Sequence, residues 1–163
     1  MNTPDRERLA RLLDLVARED GHLLAVRCRL LGDDCELDAK RAAALLADDL
    51  GIDRLESFGA KFSRMQDTVI DKLIPALLNV AGEPVLAAID NLDRMERLGL
   101  VTAAEPWLEM RRLRHRLVHE YIERPDDLAV ALQRSCCFTD AMHGDYLRMR
   151  EYAHMHLGVE TSG

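Results

Sequence analysis

Apolar residues in this chain recur every three or four positions almost from end to end, and no stretch alternates as a half-buried strand would. Thr3 or Asp5 can start a first helix whose Leu9, Leu12, Leu13 and Val16 form one stripe. Asp20-Gly21 is expected to interrupt it before a run from Leu23 to Leu31, with Gly32-Asp33-Asp34 as the stop. Asp38 to Leu50 reads as a short Ala/Leu helix closed by Gly51. From about Asp53 to Val80 runs a long amphipathic segment, with Leu55, Phe58, Phe62, Met65, Val69, Leu73, Leu77 and Val80 on successive turns. Pro75 should kink this segment or begin a new one, because it lacks the N–H that the turn needs. Gly82 closes it.

A helix from Pro84 to Leu98 follows, with Gly99 as a left-handed cap. Thr102-x-x-Glu105 then forms a capping box that opens a helix over about 103–124, and Pro125 disfavours helical geometry at its last residue. The last helix spans about Asp126 to His156, and the tail 158–163 is expected to be loose. With no repeat and no long linker, residues 1–163 read as a single all-α helical bundle.

Composition agrees with that reading. Nearly half the residues are apolar, yet there are only one Trp, three Tyr and three Phe, so the core is expected to be Leu, Ala, Val, Ile and Met. No hydrophobic run approaches the length of a membrane span and no apolar signal-peptide core stands at the N-terminus, so the chain reads as cytoplasmic with no membrane partner. Cys28, Cys35, Cys136 and Cys137 form no Cys-x-x-Cys pair and are expected to be reduced, buried thiols. The formal net charge of −7 argues against a nonspecific nucleic-acid binder coated in positive charge. It leaves room for an RNA enzyme whose positive charge is focused in one cleft.

One segment departs from the acidic background. Arg111-Arg112-Leu113-Arg114-His115-Arg116-Leu117-Val118-His119-Glu120-Tyr121 holds four arginines, two histidines and a tyrosine, with no acidic residue from Arg111 to Arg116. Inside it lies Arg-x4-His-x-Tyr, as Arg114, His119 and Tyr121. An arginine binds phosphate, a histidine moves protons near neutral pH, and a phenol stands close by. On a straight helix at about 100° per residue, Arg114 falls near the middle of an apolar arc that includes Trp107, Met110, Leu113 and Leu117. A buried guanidinium must meet a carboxylate, backbone carbonyls or a polar cleft. His119 falls about 140° around from Arg114, on a stripe with Arg112, His115 and Arg116, so the two do not converge on one straight, isolated helix.

The segment, with the Trp before it and the Pro-Asp-Asp turn after it, resembles the HEPN superfamily and, within it, the HepT-like ribonuclease toxins. Arg114, His115, His119 and Tyr121 each fall on a motif position, although Asn is commoner than His after the arginine. The resemblance runs from about Leu55 to the last long helix, and implies a HEPN-like up-and-down helical bundle with extra N-terminal helices. It also implies a homodimer in which paired motifs face a shared cleft, completing the site that one helix does not. It further implies a metal-independent endoribonuclease, the toxin of a toxin–antitoxin pair, acting on tRNA or mRNA. The partner would be a minimal nucleotidyltransferase antitoxin that attaches AMP to the tyrosine, here Tyr121, setting negative charge beside the cleft.

In that chemistry His119 is the general base or acid and Arg114 binds the phosphate and stabilises the transition state. His115, Arg112 and Arg116 support the site or contact phosphate, and no cofactor is expected. Plainer readings stand beside these. Arg114 can be a structural tie to a carboxylate such as Asp67, Asp71 or Asp90, His119 a solvated helix residue, and the basic cluster a solvated face. His115 and His119 at i, i+4 make half a metal site, but Arg116 stands where metalloproteases carry Glu and cationic neighbours oppose a metal, so none is expected. A noncatalytic subunit that binds a nucleotidyltransferase is the alternative function.

Overall fold

A computed structural model describes residues 3–114, 117 and 124–162. They form an all-α bundle with no strand among them. In chain order the helices are α1 (Thr3–Leu31), α2 (Ala39–Leu46), α3 (Asp49–Thr68), α4 (Ile74–Val80), α5 (Ala88–Arg97), α6 (Ala104–Leu113) and α7 (Pro125–Leu157). A single π turn, Val69–Leu73, joins α3 to α4. The core runs through all seven, from Leu9 and Leu13 through Phe58, Phe62 and Trp107 to Met142 and Met149.

The two longest helices, α1 and α7, lie antiparallel. Tyr146 donates to the Leu13 carbonyl, His143 meets Asp20, and Arg27 donates to the Cys136 carbonyl, so the rungs descend α7 as they climb α1. The expected interruption at Asp20-Gly21 does not occur. Asp20 turns inward, with Oδ2 2.6 Å from His143 Nδ1, while Gly21 faces solvent and costs only the propensity of an exposed glycine, about 1 kcal/mol. Val16, Leu23 and Val26 carry the buried stripe across the gap.

The long segment through α3 and α4 matches its expected pattern, with all eight spaced apolar residues buried. Pro75 is accommodated by the π turn just before it, in which Ile74 donates to the Val69 carbonyl five residues back. Three successive four-residue steps, from Met65 to Leu77, would drift about 40° each on an α-helix, and the wider turn absorbs part of that drift.

Four boundaries differ from expectation. Gly51 does not close α2, which ends at Leu46; it lies in the first turn of α3, where Asp48 Oδ1 accepts its N–H at 2.7 Å. A Cβ there would strike the Leu45 carbonyl, so the close approach of α2 and α3 requires glycine. α5 starts at Ala88 rather than Pro84, because Asn91 clamps the Leu86 N–H and C=O at 2.8 and 3.1 Å and holds the preceding strip outside the helix. The Thr102–Glu105 capping box does not form. Thr102 bonds to Asp145 instead, and Glu96 of α5 accepts the Ala104 N–H at 2.9 Å. The tail is held as far as Ser162: Val159 is buried, and Ser162 donates from N and Oγ to the two carboxylate oxygens of Asp14 at 3.0 and 2.8 Å.

The cysteines carry no disulfide, but only Cys136 is buried. Cys28 and Cys137 are exposed on their helices, and Cys35, in the connection between α1 and α2, is intermediate. Burial pushes the Cys136 thiol well above the ordinary thiol range. Among the described residues no helix is long and apolar enough to cross a membrane.

Candidate functional site

Helix α6 is fixed at both ends by polar contacts that reach far along the chain. At its start Asp145, buried on α7, accepts from Thr102 N, Thr102 Oγ1 and Trp107 Nε1 at 3.1, 2.9 and 2.9 Å. Arg148 adds a fourth bond at 2.8 Å. Trp107 and Met110 then fill the core one turn apart, with Trp107 edge-on to Phe138 at 5.2 Å between ring centres.

The same register brings Arg111 and Arg114, three residues apart, against α3. They meet Asp67 and Asp71, four residues apart on the α3–π segment. Arg111 grips Asp71 with both terminal nitrogens, at 3.1 and 2.8 Å, and lies 3.5 Å from Asp67. Arg114 Nη1 donates to Asp67 Oδ1 at 2.6 Å and to the Ser63 carbonyl at 3.0 Å, and lies 3.5 Å from Gln66 Oε1. All of these contacts leave from one terminal nitrogen. Among the described residues, no acceptor meets the Nε–Nη2 edge of this guanidinium.

Burial separates the pair from an ordinary surface bridge. The Arg114 side chain is 19% exposed and that of Asp67 44%, so the cation is mostly inside and its counter-ion borders solvent. Gln66 is wholly buried, spends its oxygen toward the guanidinium and, among the described residues, leaves Nε2 with no partner. An unmatched buried donor costs about 1–3 kcal/mol.

Of the residues singled out in the sequence, the structure therefore places Arg114 as required: near the apolar arc, against a carboxylate and a backbone carbonyl. Asp67 and Asp71 both take part, the second through Arg111, while Asp90 sits exposed on α5. Arg112 is not brought to this cluster. It points outward, 72% exposed, toward Glu105 at 3.4 Å. His115, Arg116, His119 and Tyr121 lie outside the described residues. The helix expected over about 103–124 is α-helical from Ala104 to Leu113; Arg114 still donates to Met110, and the Leu117 N–H reaches the Arg114 carbonyl at 3.2 Å.

Gln66 and Arg111 were not among the expected site residues. For Arg111 a signal was present: the run of arginines has no acid within it, and Asp67 and Asp71, four apart, share one face of another helix. An open apolar groove of about 560 Å³ also runs beside α6, lined by Pro106, Met110, Val130 and Phe138 and crossed by a Glu109–Arg134 ion pair. It contains none of the expected site residues. Among the described residues no group of three or more His, Cys, Asp or Glu is placed to hold a metal. Comparison with protein-family models, with curated proteins and with solved structures returns no match.

Proposed function

We propose that this chain is a HEPN-like, metal-independent endoribonuclease of the HepT-like toxin type, with Arg114 and His119 as its catalytic pair. The observation that carries the reading is Arg114, a mostly buried arginine anchored by one nitrogen, with the remaining edge uncommitted among the described residues. It begins the sequence Arg-x4-His-x-Tyr. A structural tie alone has no need of a histidine and a tyrosine at that interval.

The chemistry proceeds from the RNA. His119 takes the proton of a 2′-hydroxyl, whose oxygen forms a bond to the adjacent phosphorus while the bond from phosphorus to the 5′-oxygen breaks. A protonated histidine, from the same motif or its dimer mate, gives a proton to the leaving oxygen. Arg114 holds the phosphate and offsets the charge that gathers on its oxygens. The products are a 2′,3′-cyclic phosphate and a 5′-hydroxyl, and DNA is spared. Tyr121 is the position at which AMP transfer by a nucleotidyltransferase partner would place phosphate charge beside the cleft.

A second reading, a noncatalytic subunit that binds a nucleotidyltransferase, is favoured by the neutralisation of Arg114 and Arg111 by Asp67 and Asp71 and by the net charge of −7. Incubation of total RNA and tRNA with purified protein in EDTA separates the two. Cutting by the wild type, with cyclic phosphate ends and none from a folded His119→Ala variant, supports the enzyme. No cutting by an unmodified, folded dimer favours the binding subunit.

A further inference from the structure

We infer that Asp67 is a positioning residue, which sets the Arg114 guanidinium so that its Nε–Nη2 edge receives a phosphodiester. The inference rests on the function proposed above. A free arginine on a helix samples many rotamers and presents its fork in many directions. Here three acceptors on one turn of α3, Asp67 Oδ1, the Ser63 carbonyl and Gln66 Oε1, converge on Nη1 alone. Holding one corner of a planar group fixes the plane and leaves the opposite edge, two parallel N–H donors, for a bidentate partner. Two phosphate oxygens fit that edge.

The alternative use of Asp67 is as a plug that neutralises the cation. A plug would engage two N–H donors at once with both carboxylate oxygens, as Asp71 engages the two terminal nitrogens of Arg111. Asp67 does not: its bond to Arg114 is single and end-on, at 2.6 Å. The neighbouring pair commits both terminal nitrogens of Arg111 to Asp71, while its Nη2 also lies 3.5 Å from the Asp67 Oδ1 that Arg114 holds at 2.6 Å. Gln66 fits the same account. Its amide oxygen faces the guanidinium while its buried Nε2 meets no partner among the described residues, a sacrifice that a purely structural core position would avoid by carrying Leu or Met.

The test uses the full chain and two readouts. Cleavage of one RNA is followed in the wild type, Asp67→Ala, Asp67→Asn and the exposed control Asp90→Asn, together with the ¹⁵N–¹H signal of Arg114 Nε during titration with inorganic phosphate. Asp67→Ala should lower kcat about tenfold to a hundredfold with little change in KM, and abolish the phosphate-dependent shift of the Nε signal. Asp67→Asn keeps the acceptor oxygen and should recover most of both, while Asp90→Asn matches the wild type. Wild-type kcat and an unchanged shift in Asp67→Ala would overturn the inference, as would loss of activity only in step with loss of folded protein. If the wild type cuts no RNA, the titration still decides. A saturable shift that Asp67→Ala abolishes upholds the positioning role while the nuclease reading falls, and no shift in the wild type sinks the positioning role itself.

Discussion

The two ends of α6 use the same chemistry to different effect. At the first, Asp145 is 98% buried in its side chain and receives bonds from Thr102, Trp107 and Arg148, so its oxygens are matched and closed off from water. At the second, Arg114 is held by one nitrogen beside a half-exposed carboxylate and a glutamine whose Nε2 is unmatched among the described residues. A closed polar hub in a low-dielectric interior rigidifies a fold. Arg114 instead keeps its Nε–Nη2 edge uncommitted among the described residues. The contrast teaches that burial of charge alone does not distinguish a structural hub from a candidate site; the matching of the donors and acceptors around it must be read as well.

Substitution at the closed end should have the largest effect on stability. Asp145→Ala strands the Trp107 indole N–H and the Thr102 amide together, and should lower unfolding free energy by about 3–5 kcal/mol in urea titrations. A loss under about 1 kcal/mol would mean that water replaces the carboxylate easily, and would erase the distinction between the two ends.

Arg114→Ala should cost less stability, about 1–2 kcal/mol, because Asp67 borders solvent and rehydrates, while RNA cleavage falls below detection. A large stability loss with retained cleavage would exchange the roles assigned to the two ends.

The smallest expected effect lies at Glu19, a buried carboxylate with a single neutral donor, Thr68 Oγ1, at 3.0 Å. Burial raises its pKa above the ordinary value of 4.5, and the Thr68 bond and the charges of Arg64, Lys72 and Arg18 only partly oppose this. Folding therefore favours the protonated form. The associated stability is fully present below pH 4.5 and is lost as pH rises through the folded-state pKa. Glu19→Gln should melt above the wild type at pH 7, with the gap closing as pH falls from the folded-state pKa toward 4.5; a constant gap would show that the charge is not its source.

Much of this was legible along the chain. The eight-residue apolar stripe from Leu55 to Val80 set the inner face of α3 and α4, and Gly32, Gly82 and Gly99, all at positive φ, mark three of the expected stops. Gly51 misled because glycine also serves where two backbones meet, which composition does not distinguish from a cap. The Thr102–Glu105 spacing misled because Asp145, 43 residues away, outcompetes Glu105 for Thr102.

What the sequence by itself determined is therefore local: helical periodicity, the buried stripe, and the necessity that Arg114 find an acceptor, since periodicity and propensity act within a turn or two. The tertiary structure decided which acceptor, Asp67 at a separation of 47 residues, and which edge of the guanidinium remained. It also decided that the tail folds back on Asp14 across 148 residues. Such contacts depend on where packed helices bring their faces together, and that is a property of the whole core rather than of any one segment.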